Sequence, residues 1–311
     1  MTNGSNITSF AGLPVQRFNP GPGGRREAAR RAGQAVAWRI ESGYGDGEGV
    51  RAAFDGLLDT VGGATVRALV IGQWGDPFED PPPLDMLTGA RDRLPNLRAL
   101  FIGEMTAEEC EISWIKHDDV APLLAAFPAL EVLWIRGADG LRLSPVRHRR
   151  LRELAVQSGG LPVEFVRGIA DSSFPALEDL ELWLGVQEYG GDVSVEDLAP
   201  ILGGADLPAL RRLALRNAEI ADELAAAVAA APVVARLREL DLSLGALSDA
   251  GAESLLLGQP LTHLTALNLS HHFMSADLAE RLAQELPGVD VDTSDEQDEE
   301  EDGFRYVSVA E

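Results

Sequence analysis

The chain has 311 residues, 45% of them apolar, and a formal charge of −24. That apolar share is ample for a packed core and excludes general disorder, while the acidity speaks against phosphate backbones, whose binding rests on clustered cations, so nucleic acid is not an expected partner. No apolar run is long enough to span a bilayer and no basic-then-apolar leader opens the chain, so the expectation is a soluble, cytoplasmic protein with no membrane partner.

In chain order, residues 1–34 read as an N-terminal arm: "ITSFAGLPVQRF" alternates apolar and polar residues and precedes a flexible break at "NPGPGG". "AVAWRIE" and "GEGVRAAFDGLLDTV" then read as the strand and helix of a capping unit, in which Trp38 is a packing residue. From Val66 the spacing L-x-x-L-x-L recurs in "VRALVI", "LRALFI", "LEVLWI", "LRELAV", "LEDLEL", "LRRLAL", "LRELDL", "LTALNL" and "LPGVDV", at intervals of 21 to 33 residues. The linking segments carry helix signals. "DDVAPLLAAFPAL" from Asp118, "DELAAAVAAAP" from Asp222 and "SADLAERLAQELPG" from Ser275 each join an N-cap residue to strong helix formers and a terminating Pro. Strand, turn, helix and return make a right-handed coil, so residues 35–292 are expected to stack strands into a parallel concave sheet with a mainly helical convex side. The last segment, 293–311, opens with an acidic run expected to be a mobile loop. It ends in "FRYVSV", where Arg305–Val309 is predicted to return as a closing strand on or near the last unit.

The repeated spacing resembles that of leucine-rich-repeat proteins, whose units run about 20–29 residues with one strand and one helical segment each. The resemblance covers roughly residues 60–292 and implies an α/β fold, a curved solenoid. It departs from the family at the Asn that usually follows the strand: Trp74, Met105, Ala138, Gly159, Gly185, Ala218, Gly245 and His272 stand there instead. That Asn satisfies buried backbone groups, so less regular turns are expected. The opening is also similar to that of an actinobacterial-like bacterial subfamily, which implies kinship and no activity. A GC-rich bacterial source agrees with Lys116 being the one lysine among 26 basic residues.

Catalytic and metal constellations are not evident. The lone Cys110 forms no Cys-x-x-Cys site and no internal disulfide, in keeping with a reducing compartment. His117, His148, His263, His271 and His272 show no zinc spacing on a helix, and the His271–His272 pair reads as a turn. "GYGDGEG" from Gly43 lacks the P-loop Lys-Ser/Thr and carries carboxylates that repel phosphate, "SGG" at Ser158 lacks the nucleophile-elbow frame, and the acidic run lacks calcium-loop spacing. No cofactor is expected.

Alternation assigns the concave wall. One column reads Val70, Phe101, Trp134, Ala155, Glu181, Ala214, Asp241, Asn268 and Asp290, and the next reads Gly72, Gly103, Arg136, Gln157, Trp183, Arg216, Ser243, Ser270 and Asp292. Phe101, Trp134, Arg136 and Trp183 form an aromatic and arginine patch with the composition of a binding hot spot. Together with Glu181, Arg216 and Asp241 they are the candidate partner-binding residues of a non-enzymatic scaffold for a protein or peptide. The competing arrangement folds the arm, through Ile7, Phe10, Leu13 and Phe18, over those rings. The alternative function is an enzyme accessory or small-ligand module on the polar C-terminal part of the wall. Trp114, outside the strand motif, is expected to fill a gap on the convex side.

Overall fold

Alternation in the strands and 3.6-residue periodicity between them are both realised in the computed structural model, which describes residues 5–301 and 303–311. The first four residues of the arm and Asp302 of the acidic run lie outside the described residues. Among the described residues twelve strands form one sheet in chain order: β1 (Ser9–Phe10), β2 (Leu13–Arg17), β3 (Ala37–Ile40), β4 (Ala68–Ile71), β5 (Ala99–Ile102), β6 (Val132–Arg136), β7 (Glu153–Gln157), β8 (Asp179–Gly185), β9 (Arg212–Ala218), β10 (Glu239–Asp241), β11 (Ala266–Asn268) and β12 (Asp290–Asp292). β1 and β2 are antiparallel, and every later pairing is parallel.

Helices return the chain between strands: α1 (Pro22–Arg31), α2 (Gly47–Val61), α3 (Leu84–Gly89), α4 (Ala121–Ala126), α5 (Val163–Ala170), α6 (Val195–Gly203), α7 (Ala221–Val228), α8 (Asp249–Leu257) and α9 (Ala276–Glu285). Their ends follow local chemistry. Ser194 caps α6 in a reciprocal capping box with Asp197, and Asp46 accepts from Gly49 N–H at the start of α2. Among the described residues no helix is long and apolar enough to cross a membrane.

The main core lies between sheet and helices. Trp38, Leu69, Leu100, Leu133, Leu154, Leu180, Leu213, Leu240 and Leu267 stack strand by strand, and all are buried. A second, smaller cluster sits on the opposite face, where Phe10 joins Ala37, Ala68, Val70, Ala99 and Phe101.

Three expectations change. The "NPGPGG" segment is no flexible break: Asn19 Oδ1 accepts from Gly21 N–H and α1 starts at Pro22, because Pro suits the first helical turn, where its missing N–H costs nothing. The last unit is out of register by two residues, since Asn268 pairs with Asp292 rather than Asp290. Leu286 is the C-cap of α9, and Gly288, with φ 89°, makes the turn into β12, so the motif's first leucine belongs to the helix end. Finally, Arg305–Val309 forms no strand. The closing-strand expectation gives way to an extended strap whose backbone bonds go to loops and side chains along the rim of the sheet.

Candidate functional site

The N-terminal half of the concave wall is covered by the chain itself. Phe10 packs at 5.7 Å from Phe101 and 5.4 Å from Trp134, which is itself 5.4 Å from Phe101. Phe101 is fully buried and Trp134 partly so, with its Nε1 donating to Glu153 Oε1 at 2.5 Å. Arg136 lies buried beside Phe101, its guanidinium carbon 5.6 Å from the ring centroid, donating to Gln157 Oε1 at 3.0 Å and Met105 O at 2.7 Å. Burial first, and then the Arg39 guanidinium, push Arg136 down to about 10, which leaves it cationic at neutral pH. The open aromatic patch expected here is therefore closed, and the arm lies over the rings. The arm is fixed by pairing of β2 with β3 and by Ile7 N–H donating to Glu104 Oε1 at 2.9 Å.

Further along the wall the remaining candidates meet in one charge network. Arg212 reaches Asp179 at 2.8 Å, Glu181 at 2.9 Å, Asp241 at 3.4 Å and Glu239 at 3.8 Å. Arg216 reaches Glu181 at 3.3 Å and Asp241 at 3.5 Å, and stacks 5.3 Å over Trp183, whose Nε1 donates to Glu181 Oε1 at 2.8 Å. Burial alone would raise the Glu181 carboxyl, but Arg216 and Arg212 outweigh it and hold the group below its ordinary value. Glu153 and Asp179 are raised, chiefly by burial. Glu181 thus stays an ionised acceptor facing three donors. Arg212, at the centre, is absent from the sequence-derived set; it stands two residues before Ala214, so alternation could have found it. Beyond the network, Asp290 and Asp292 are exposed and Asn268 is half-buried.

The carboxyl ends of the strands carry the strap. Tyr306 packs on His271 and Phe273, Ser308 N–H donates to Leu244 O at 2.9 Å, and Asn217 clamps Val309 by accepting from its N–H at 3.0 Å and donating to its carbonyl at 2.5 Å. Ser113 then donates to Ala310 O, and Tyr189 to the Glu311 carboxylate. From Tyr306 to Val309 the strap thus crosses the ends of β11, β10 and β9 in reverse order. Gly159 permits this closeness, since a Cβ there would lie 2.0 Å from Ala310 O. Between Val307–Glu311 and the Arg136, Gln157 and Trp183 side chains lies a cavity of about 640 Å³.

Trp114 corrects another expectation: instead of filling a convex gap it is 41% exposed on the rim, 5.5 Å from Phe78 and 6.1 Å from Tyr189. Sequence periodicity gave no signal for this trio, because all three rings lie outside the strand motif. Each histidine ring meets a backbone carbonyl through Nε2. His272 Nδ1 accepts from Met274 N–H at 3.1 Å while Nε2 meets Thr293 O at 2.9 Å, so it serves the backbone where the family's Asn would stand. Burial pushes the Cys110 thiol up to about 11, aided by Asp76 and Glu111, which leaves it protonated at neutral pH. Among the described residues no group of three or more His, Cys, Asp or Glu is placed to hold a metal ion.

No protein-family model and no curated protein matches the chain. Among solved structures, a Bacteroides fragilis protein superposes with a TM-score of 0.80 at 28% identity, over 88% of this chain and 78% of that one. TLR13 in its complex with ssRNA13 aligns over 87% of this chain and 34% of its own, with TM-score 0.43 and 14% identity. The internalin inlF of Listeria monocytogenes aligns over 82% and 72%, with TM-score 0.36 and 14% identity. The parallel sheet, its helical returns and its leucine ladder are those of a leucine-rich-repeat-like α/β solenoid.

Proposed function

We propose that the protein is a non-enzymatic, cytoplasmic scaffold whose concave wall receives a basic protein or peptide. The observation that carries this reading is the imbalance of charge on that wall. Asp179, Glu181, Glu239 and Asp241 share two guanidiniums, Arg212 and Arg216, and Asp290 and Asp292 extend the acidic surface past them. Opposite charge steers encounter and selects partners. In this reading Trp183, Glu181, Arg216 and Asp241 make a rigid floor and Trp134 its aromatic edge, while Phe101, packed under Phe10, and Arg136, beside Phe101, support that edge. The wall's acidity also disfavours RNA or DNA as the partner.

Random peptides displayed and selected on the full chain test this. Lys- and Arg-rich sequences are expected to emerge, and to be lost from the triple variant Glu239→Lys, Asp290→Lys, Asp292→Lys, whose substituted side chains are not in the core. Enriched peptides without basic residues, or basic peptides indifferent to the reversal, would refute the reading. One observation favours a second reading, a small-ligand module: the cavity between the strap and Trp183. A ligand there would be lost on removal of 305–311 and unaffected by the charge reversal.

A further inference from the structure

The exposed rings of the rim stand beside a cavity of about 500 Å³ lined by Trp114, Tyr189, Asp139 and Glu188. Gly140, Gly160 and Gly190 make up much of the rest of its wall, so few side chains stand between the rings, the carboxylates and the space they enclose. At Gly160 a Cβ would lie 2.1 Å from the Tyr189 carbonyl oxygen, so the glycine lets the Tyr189 loop come this close. Trp114 and Tyr189 meet nearly at right angles, 87° between their planes, which is the arrangement of a corner, with Phe78 extending the aromatic surface behind Trp114.

None of the lining residues is cationic. Among the described residues, Asp139 and Glu188 make no salt bridge, and nearby Lys116 is directed to Glu79 at 3.9 Å. The Tyr189 hydroxyl is pushed up to about 12, first by its bond to Glu311, then by burial, and further by the charges of Glu311, Glu188 and Glu111. Aromatic faces attract cations through their quadrupole, and two uncompensated carboxylates reinforce that field while repelling anions.

We propose that this corner is a binding site for an organic cation, an alkylammonium head held between the Trp114 and Tyr189 rings with Asp139 and Glu188 supplying the counter-charge. The site opens on the loop rim and shares no residue with the concave wall, so it does not depend on the scaffold reading. A free molecule and a methylated lysine of a peptide both carry such an ammonium group; the chemistry recognised is the same.

Calorimetric titration of the full chain with choline, with its neutral carbon isostere dimethylbutanol, and with a short trimethyllysine peptide tests the proposal. Choline or the peptide should bind, and the neutral isostere should be weaker by about 10-fold, the size of one cation–π contact with partial desolvation. Whichever of choline and the peptide binds more tightly identifies the source. Trp114→Ala should weaken binding by about 10-fold and Trp114→Phe by less, because a ring face is retained. Glu188→Gln should weaken it too, and added salt should do the same. The charge reversal at Glu239, Asp290 and Asp292 should leave choline binding unchanged, which separates this site from the scaffold reading. Equal binding of the neutral isostere, indifference to Trp114→Ala in a variant that melts like the parent, or no binding of either cation would overturn the proposal.

Discussion

Leu213 and Ala214 are neighbours on β9 and belong to opposite faces of the sheet. Leu213 is fully buried among the leucines, so Leu213→Ala should cost about 2–5 kcal/mol in chemical denaturation, as large-to-small core changes do. Ala214 is buried as well, but beneath the charge network, where a hydroxyl can find partners, so Ala214→Ser should cost about 1 kcal/mol or less. Equal costs would mean that the two faces are not distinct. His117 supplies a pH dependence. Burial holds it down to about 4, with Nε2 bonded to Arg136 O at 2.8 Å. The folded state therefore binds its proton less readily than the unfolded state, and the stability it contributes is complete above about pH 6.5 and lost as pH falls towards 4. That contribution is about 3 kcal/mol at most, and His117→Asn should flatten the slope of unfolding free energy against pH in this window, whatever it does to stability at pH 7. An unchanged slope would show that His117 is charged in the fold. At this scale much was legible in the sequence, because which face a strand residue takes is a local, two-residue property. Arg212 belonged to the same column logic. The fate of Phe101 did not, since its cover arrives from Phe10, far back in the chain.

The elements that escaped the repeat are the two that cover it. The β1–β2 hairpin takes its position from backbone pairing with β3 and from Ile7 N–H on Glu104, and its largest buried side chain is Phe10, so Phe10→Ala should loosen the hairpin while the solenoid stays folded. Hydrogen exchange would report fast amides around Thr8 and Val15 against unchanged ones in β5, and Trp134 would become more accessible to quencher; slow exchange at Val15 would show that pairing alone holds the arm. The strap depends on Asn217, which sits at φ 55°, a conformation Asn tolerates and Gly prefers. Asn217→Gly keeps that backbone and removes both clamping bonds, so Val309 should exchange faster with little change in the strand. Gly159→Val should have the same effect for a different reason, by filling the space that the Ala310 carbonyl occupies. Protected amides at Val309 in both variants would mean that the strap is held elsewhere. Strap and hairpin were only half legible: alternation in "ITSFAG" and "FRYVSV" signals extended backbone, but an extended segment can bond to a sheet edge or to a row of loops. Which it does is decided by Asn217, Ser113 and Gly159, distant in sequence.

A solenoid couples each unit mainly to its neighbours, so its cooperativity over length is not guaranteed. The strap alters that coupling. By touching Asn217 near the end of β9 and the loops after β11, β10, β8, β7 and β5, it ties the C-terminal units directly to the middle of the stack. The tryptophans make the consequence measurable, because Trp38, Trp74, Trp114, Trp134 and Trp183 all precede β9, whereas backbone dichroism reports the whole stack. In the intact chain the two signals should follow one urea transition. With Arg305–Glu311 removed, the units after β9 keep only their pairing to β9, and they include β12, the edge strand of the sheet among the described residues. Dichroism should then begin to fall at lower urea than fluorescence does, and the transition as a whole should broaden, the signature of lost two-state behaviour. Replacing the acidic residues 298–301 with Ser, which leaves the strap in place, should not separate the curves. If truncation lowers the midpoint but the two signals still coincide, neighbour contacts alone carry cooperativity through the stack and the strap only adds stability to it.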